Sequence, residues 1–358
     1  MNIVESTAAY EAWVKSQVPI VAADLARKHD AMRRAPFPFL RGTFYRWSQL
    51  WAEACPALAA APRLLAVGDL HIENFGTWRD AEGRLIWGIN DFDEAARMPY
   101  TIDLVRLATS AILAHAAGDV RILPADACAS MLVGYADALA KGGQAFVLEE
   151  GHATLRQLAL GAERDPTRFW ARTQSWKRSR AVPAQVRALI GRQIPSEARN
   201  LRIVHRIAGL GSLGRQRFVG LAEWDGGLIA REAKSLLPSA YRWAQGKKNQ
   251  GRIRYADIVA RSVRCRDPLV SVNGTWLLRR IGPHCSRIEL ADIPRQRDES
   301  HFLECMGREL ANVHLGTPDA VAAIRSDLRR RKAGWLHAAA ETMAEVTDRD
   351  WRRWRARG

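Results

Sequence analysis

The run GDLHIENFG (68–76) sets Asp69 five residues ahead of Asn74, and INDFDEA (89–95) follows with Asp91, Asp93 and Glu94. These are hard oxygen donors on two adjacent stretches of chain. Phosphoryl transfer asks for such a set: one carboxylate to accept a hydroxyl proton, and oxygen ligands to hold Mg²⁺ on the phosphates. Asp69 suits the first role; Asn74 and Asp91 suit the second. His71 reads as a loop-packing residue that supports the site. Asp93 supports the site or is merely solvated. Asp103, at the start of an apolar run, reads as a helix N-cap.

A second constellation lies far along the chain. GLGSLG supplies Gly209, Gly211 and Gly214 with Ser212 between them. Glycines there let backbone N–H groups approach phosphate oxygens closely. A dinucleotide fold would place a helix directly after such a loop and an acid about 20 residues on. Here RFVGL instead reads as a strand, DGG as a turn and LIAREAK as a second strand. Arg231 lies seventeen positions after Gly214 and Lys234 three further on. Spacing favours Arg231 for a phosphate contact and side-chain chemistry favours Lys234; both stay open. A glycine-rich hairpin turn with surface cations is the plainer alternative.

The elements that must position these groups follow from periodicity. Residues 5–32 and 46–60 have helical spacing, with APFPFLRG (35–42) as a loop between them. RLLAV (63–67) is a short strand leading into the acidic run, and TW, RDAEG and RLIWGIN form a hairpin. Residues 103–117 and 125–142 read as buried helices. The Arg-rich stretch 151–200, broken by Pro183 and Pro195, is a connector. LRIVHRIA is a strand before the glycine loop, 253–265 a helix, and LVSVNGTWLLRRI a hairpin on the type I′ pair Asn273-Gly274. Helices are expected over 299–315 and from 320 onward. Four segments result: a helical 1–62, a large lobe 63–200 with the acidic loops, a small lobe 201–282 with the glycine loop, and large-lobe helices over 283–358.

Composition narrows the function classes. The 358 residues carry 54 Lys+Arg against 38 Asp+Glu, a net charge of +16, and 47% are hydrophobic. Disorder is excluded, and no apolar run of about 18 residues suggests a membrane span or membrane partner. No basic n-region with an apolar core opens the chain, so no signal peptide is read. The charge is lopsided: −4 over residues 1–150 and +20 over 151–358. One part suits a divalent cation and the other phosphates, although an Arg-rich proteome also decorates solvated faces this way. Five scattered cysteines (Cys55, Cys128, Cys265, Cys285, Cys305) argue against a disulfide framework or zinc site and fit a reducing cytoplasm. A nucleic-acid partner finds no recognisable binding module; its best support is Trp351 and Trp354 in the terminal DWRRWRARG.

The acidic string resembles the kinase-like phosphotransferases. Aminoglycoside and choline kinases carry HGDLHxxN, a hairpin, IDFxxA, then a Pro and a DLA helix; this chain reads GDLHIEN, INDFDEA and MPYTIDLVRLA. Val67 stands where that pattern has its first His, and the Asp69–Asp91 spacing is slightly longer. The resemblance implies that Asp103 braces the catalytic loop. It also implies ATP and Mg²⁺ as cofactors, with a small-molecule hydroxyl as acceptor. Metallophosphoesterases share GDLH, but their upstream DxH and downstream GNH[DE] are missing.

Strand, glycine loop, strand, turn and a strand ending in a cation is the small-lobe arrangement of kinases. Here it follows the catalytic loop instead of preceding it. The expected fold is therefore α+β, a two-lobe protein-kinase-like fold, circularly permuted, with a small antiparallel-sheet lobe and a larger helical lobe. Joining the end of LANVHLGT to residue 63 would restore the usual order. The chain also resembles the bacterial domain of unknown function 2252, through PFPFLRG, GDLHIENFG, NDFDEA, DLVRLATS, GLGSLG and REAKS, with Arg231 at that family's Lys. Kinases hold their phosphate-binding Lys with a helix Glu. No Glu follows Lys234 in 201–282, and Asp257 is the nearest helical acid. A nucleotide-binding pseudokinase, a nucleotidyl transferase and a basic RNA-binding protein are the rival functions.

Overall fold

The computed structural model describes residues 1–160, 164–179, 181–246, 251–285 and 299–357. Five helices come first: α1 (Ile3–Gln17), α2 (Ala22–Arg34), α3 (Pro36–Gly42), α4 (Phe44–Ala54) and α5 (Pro56–Ala59). Strands β1 (Arg63–Ala66), β2 (Phe75–Arg79), β3 (Leu85–Ile89) and β4 (Ala96–Pro99) carry the acidic loops. Then come α6 (Thr101–Ala116), α7 (Pro124–Lys141), β5 (Phe146–Val147), α8 (Ala153–Ala159), α9 (Pro166–Gln174) and α10 (Ala184–Gln193). The C-terminal part holds β6 (Arg199–His205), β7 (Arg217–Trp224), β8 (Gly227–Ser235), α11 (Ala240–Ala244), α12 (Tyr255–Arg261), β9 (Ser271–Asn273) and β10 (Trp276–Arg280). It ends in α13 (Glu299–His314), α14 (Pro318–Arg330) and α15 (Trp335–Arg355).

The strands form three antiparallel sheets, β1-β4, β2-β3-β5 and β6-β7-β8-β10-β9, so the fold is mixed α+β with small sheets. The main core gathers α4, α6, α7, α13 and α15 around β1–β4. Helix α6 is apolar on nearly all sides, and every residue from Thr101 to Ala111 is buried, as expected of a central helix. Helices α7 and α13 pack backbone to backbone. A Cβ on Gly307 would lie 2.1 Å from the Met131 carbonyl oxygen, and one on Gly134 would lie 2.0 Å from that of Glu304.

Three local expectations need correction. The helix expected over 5–32 is two helices, because the chain becomes extended at Val18 and Ile20 pairs with Arg215. PFPFLRG is not a loop but α3: Pro36 opens it, where a missing N–H costs nothing. The 271–280 hairpin forms, but its two-residue turn is Gly274-Thr275, with Gly274 at φ +58°. A positive φ at the first turn position alone is the type II′ pattern rather than type I′.

Candidate functional site

Helix α6 presents a polar stripe to the loop after β1. Asp103, Arg106 and Ser110 are three and four residues apart, hence on one face. Asp103 accepts the Val67 N–H at 2.7 Å and the Gly68 N–H at 2.8 Å. Arg106 Nε donates to Asp69 Oδ1 at 2.9 Å, and its Nη2 donates to the Leu40 carbonyl at 2.8 Å. Ser110 Oγ accepts the Ile72 N–H at 3.0 Å. Asp103 is not the N-cap expected from the sequence: the cap is Tyr100, with no side-chain cap hydrogen bond, and Asp103 sits inside the first turn, where its carboxylate braces the loop after β1 instead. Behind it, His314 Nε2 is 2.9 Å from Asp103 Oδ2, and His314 Nδ1 is 2.7 Å from the Tyr135 hydroxyl. His71 is buried against the Phe37 ring edge.

Asn74 ties the two acidic runs together. Its Nδ2 donates to the carbonyls of Asp69 at 3.1 Å and Asp91 at 3.0 Å, and its Oδ1 accepts the Asp91 N–H at 3.0 Å. One lone pair of that oxygen stays available. Asp91, 39% exposed, and Asp93 face Lys234, whose Nζ lies 2.6 Å from Asp91 Oδ2 and 2.7 Å from Asp93 Oδ2. Arg215 adds a 2.9 Å contact to Asp93. Burial pushes both carboxyls up, but the Lys234 ammonium holds Asp91 well below the usual carboxylate range, while its charged neighbour Asp91 helps keep Asp93 raised. Burial raises Glu94 to about 7, against the opposing pull of Arg215 and the Ala240 N–H.

The two cations left open by the sequence separate by strand alternation. Lys234 and Glu232 share the cleft face of β8; Arg231 lies on the other, donating to the carbonyls of Gln193 at 3.2 Å and Ala230 at 3.0 Å. Asp257 does not reach Lys234, being engaged by Arg252 at 2.8 Å and Arg254 at 2.7 Å.

The glycine loop meets the acidic loop directly. A Cβ on Gly211 would lie 3.2 Å from both Asp69 Oδ2 and the Arg41 carbonyl oxygen. Gly209 at φ +74° and Gly214 at φ +96° supply backbone that other residues rarely adopt. Ser212 Oγ accepts from Arg217 at 2.8 Å. From outside, the N-terminal helices clasp the loop. Val21 N–H donates to the Gly214 carbonyl at 2.7 Å, and Lys28 Nζ donates to that of Gly211 at 3.2 Å. Lys28 is buried, and its burial lowers the ammonium to about 8. A single cavity of about 960 Å³ joins Gly209–Ser212 to Asp69, Asn74, Asp91 and Asp93, with Lys28, Arg41 and Tyr45 in its wall. Residues 1–62 thus contribute to the site.

The cleft face of the five-stranded sheet is half polar and half apolar. Glu232, fully buried, is surrounded by Arg206, Arg217 and Arg279, with Arg279 Nε 2.7 Å from its Oε2. Burial alone would raise this carboxyl; the three guanidiniums hold it well below the usual range. Val204, Val219, Leu221, Ala230 and Ile281 form the apolar half, covered by Trp170 and Trp176 from α9 and the turn after it. Helix α10 packs on the opposite face, against Ile203, Phe218, Ala233 and Leu278. Arg202 fixes the α9 end by donating to the carbonyls of Trp176 at 2.6 Å and Thr173 at 2.9 Å.

Sequence reasoning missed Lys28, Arg106, Arg215 and the Glu232 cluster. Only Arg106 had a readable signal, the Asp-x-x-Arg spacing on a central apolar helix.

The described residues form a mixed α+β protein with a charged cleft between a small sheet and a helical body. Over residues 21–163, the stretch that carries both acidic runs, the chain is similar to the family described as "Uncharacterized protein conserved in bacteria (DUF2252)". No curated protein and no solved structure matches the chain. Among the described residues, no group of three or more His, Cys, Asp or Glu side chains is arranged to hold a metal unaided. No helix among them is long and apolar enough to cross a membrane.

Proposed function

We propose that this chain is an ATP- and Mg²⁺-dependent phosphotransferase of kinase-like, circularly permuted fold, acting on a small-molecule hydroxyl. The observation that carries the reading is the approach of the glycine loop to Asp69: two motifs some 140 residues apart line one cavity, with Gly211 against Asp69 Oδ2. The permutation has its own support. Thr317, just past α13, accepts the Leu65 N–H of β1 at 3.2 Å through its hydroxyl. The end of LANVHLGT therefore lies where the order would be rejoined.

Mg²⁺ needs only one or two protein oxygens when phosphates supply the rest, so the lack of a three-carboxylate group does not count against it. Asp91 and Asn74 Oδ1 are the fitting donors, and the ion would neutralise phosphate oxygens there. Lys234 and the loop N–H groups bind and orient the phosphates. Asp69 receives the acceptor hydroxyl at Oδ2, its Oδ1 being held by Arg106. The acceptor oxygen bonds to the terminal phosphorus as the bond to the bridging oxygen breaks. The electron pair stays on the released diphosphate and the hydroxyl proton passes to Asp69.

A pseudokinase is the second reading, favoured by the engagement of Lys234 with Asp91 and Asp93 instead of a helix Glu. Calorimetry with Mg·ATP on the wild type and Asp91→Ala, followed by a turnover assay with candidate hydroxyl acceptors, tests both. Equal Mg·ATP affinity in the two proteins removes the metal role; binding without turnover favours the pseudokinase.

A further inference from the structure

The N-terminal helices bring a buried cation to the cavity. Lys28, on α2, is 6% exposed and lines the wall. Its stem passes over Gly42, where a Cβ would stand 3.6 Å from Lys28 Cε. Nζ donates to the Gly211 carbonyl at 3.2 Å, and an ammonium carries two further donors. A Cβ on the same Gly211 would lie 3.2 Å from Asp69 Oδ2. The ammonium and the free oxygen of Asp69 thus flank one residue of the glycine loop.

The acids around Lys28 are turned to other partners. Glu11 of α1 lies 2.6 Å from His29 Nε2, and Asp24, one turn back on α2, lies 2.6 Å from His205 Nε2. Glu94 accepts the Ala240 N–H at 2.6 Å, and Asp69 Oδ1 is held by Arg106. Arg215 adds a like charge. The fields of Glu11, Asp69 and Glu94 reach Lys28, but burial outweighs them. A buried charge without a matching charge at hydrogen-bond distance costs free energy, which an arriving oxyanion recovers.

We infer that Lys28 is a further substrate-binding residue, a cation supplied from outside the two motifs to hold the terminal phosphate of the donor between Gly211 and Asp69. This rests on the phosphotransferase reading and deepens it. The acceptor hydroxyl arrives at Asp69 Oδ2, so the phosphate beside that oxygen is the one transferred, and the inner phosphates stay clear of Lys28.

The test is calorimetry of the full chain with Mg·ATP and Mg·ADP. Lys28→Met should weaken Mg·ATP about tenfold or more, the effect of losing one charge-assisted hydrogen bond. It should leave Mg·ADP within about twofold, which also shows that the variant is folded. Parallel losses of both nucleotides in a folded variant overturn the inference, since Lys28 would then only fasten the loop. An unchanged Mg·ATP affinity overturns it too. The wild type supplies a second measurement, which decides alone should the variant not fold. Lys28 titrates at about 8 and Glu94 at about 7, so at pH 9 both have largely lost their protons. In buffers of different ionisation enthalpy, Mg·ATP binding at pH 9 should take up at least about half a proton more than Mg·ADP binding. Equal uptake overturns the inference and leaves the phosphotransferase reading standing. Failure of both nucleotides to bind the wild type overturns both.

Discussion

Arg106 Nε donates to Asp69 Oδ1 at 2.9 Å, from a guanidinium with no solvent exposure to a carboxylate that keeps 21% of its own. Phe44 and Trp47 lie under the same guanidinium at 5.0 and 4.9 Å. One oxygen of Asp69 is thereby fixed and the other is directed at the glycine loop.

Breaking this pair should cost stability before it costs chemistry. Arg106→Leu is expected to lose about 3 kcal/mol, the lower end for a buried pair, because Asp69 retains some hydration. Urea unfolding measures it. The double variant Arg106→Leu/Asp69→Asn should lose less than the sum of the single changes. An unchanged urea midpoint for Arg106→Leu would remove the bracing role.

Lys234 and Arg231 should behave oppositely. Lys234→Met is expected to weaken Mg·ATP about tenfold or more, the effect of losing one charge-assisted hydrogen bond. Arg231→Met, on the outer face of β8, should leave that affinity within about twofold. Comparable losses in both variants would contradict the assignment made by strand alternation.

Glu94 should give the fold a pH dependence of unusual sign. Burial raises its carboxyl to about 7 in the folded chain, above the ordinary value of 4.5. Between those values the folded state holds the proton that the unfolded state has released. The stability due to this group is therefore present below pH 4.5 and is lost as pH rises through about 7. Glu94→Gln should flatten that part of the curve in thermal melts taken from pH 5 to 8. A slope unchanged by the substitution would assign the titration elsewhere.

Two glycines should separate packing from binding. Gly307→Ala drives a methyl against the Met131 carbonyl, 2.1 Å away, and is expected to cost at least about 1–3 kcal/mol in urea unfolding. Gly211→Ala meets the Arg41 carbonyl and Asp69 at 3.2 Å, which small shifts can absorb. It should keep near-native stability yet weaken Mg·ATP binding. The reverse pattern would mean that the loop is structural.

What was legible in the sequence was local. The acidic loops, the strand–glycine loop–strand run and the α6 and α13 helices show in spacing, because period and turn residues carry that information. Asn74 and Asp103 were readable as site residues, though not the backbone groups they hold. Lys28 and Arg215 were not readable, since each reaches the cleft through long-range packing. α3 was hidden because two prolines in seven residues suggest a loop, although both fall in its first turn. The Glu232 cluster was illegible for the same reason as Lys28: Arg206, Arg217 and Arg279 converge only once β6, β7 and β10 are in register. Trp351 and Trp354, the best sequence support for RNA binding, sit on α15. Trp354 is buried with Ile3, Met32 and Phe39, and Trp351 packs against them while donating to the Arg33 carbonyl at 3.3 Å.

The clasp on the glycine loop ties its position to that of the N-terminal helices. With the carbonyls of residues 211 and 214 both engaged by α2 and the turn before it, the loop is no hinged flap that lifts to admit its guest. Any displacement of the loop must break these two bonds or carry α2 along, so loop and helix form one continuous wall of the cavity.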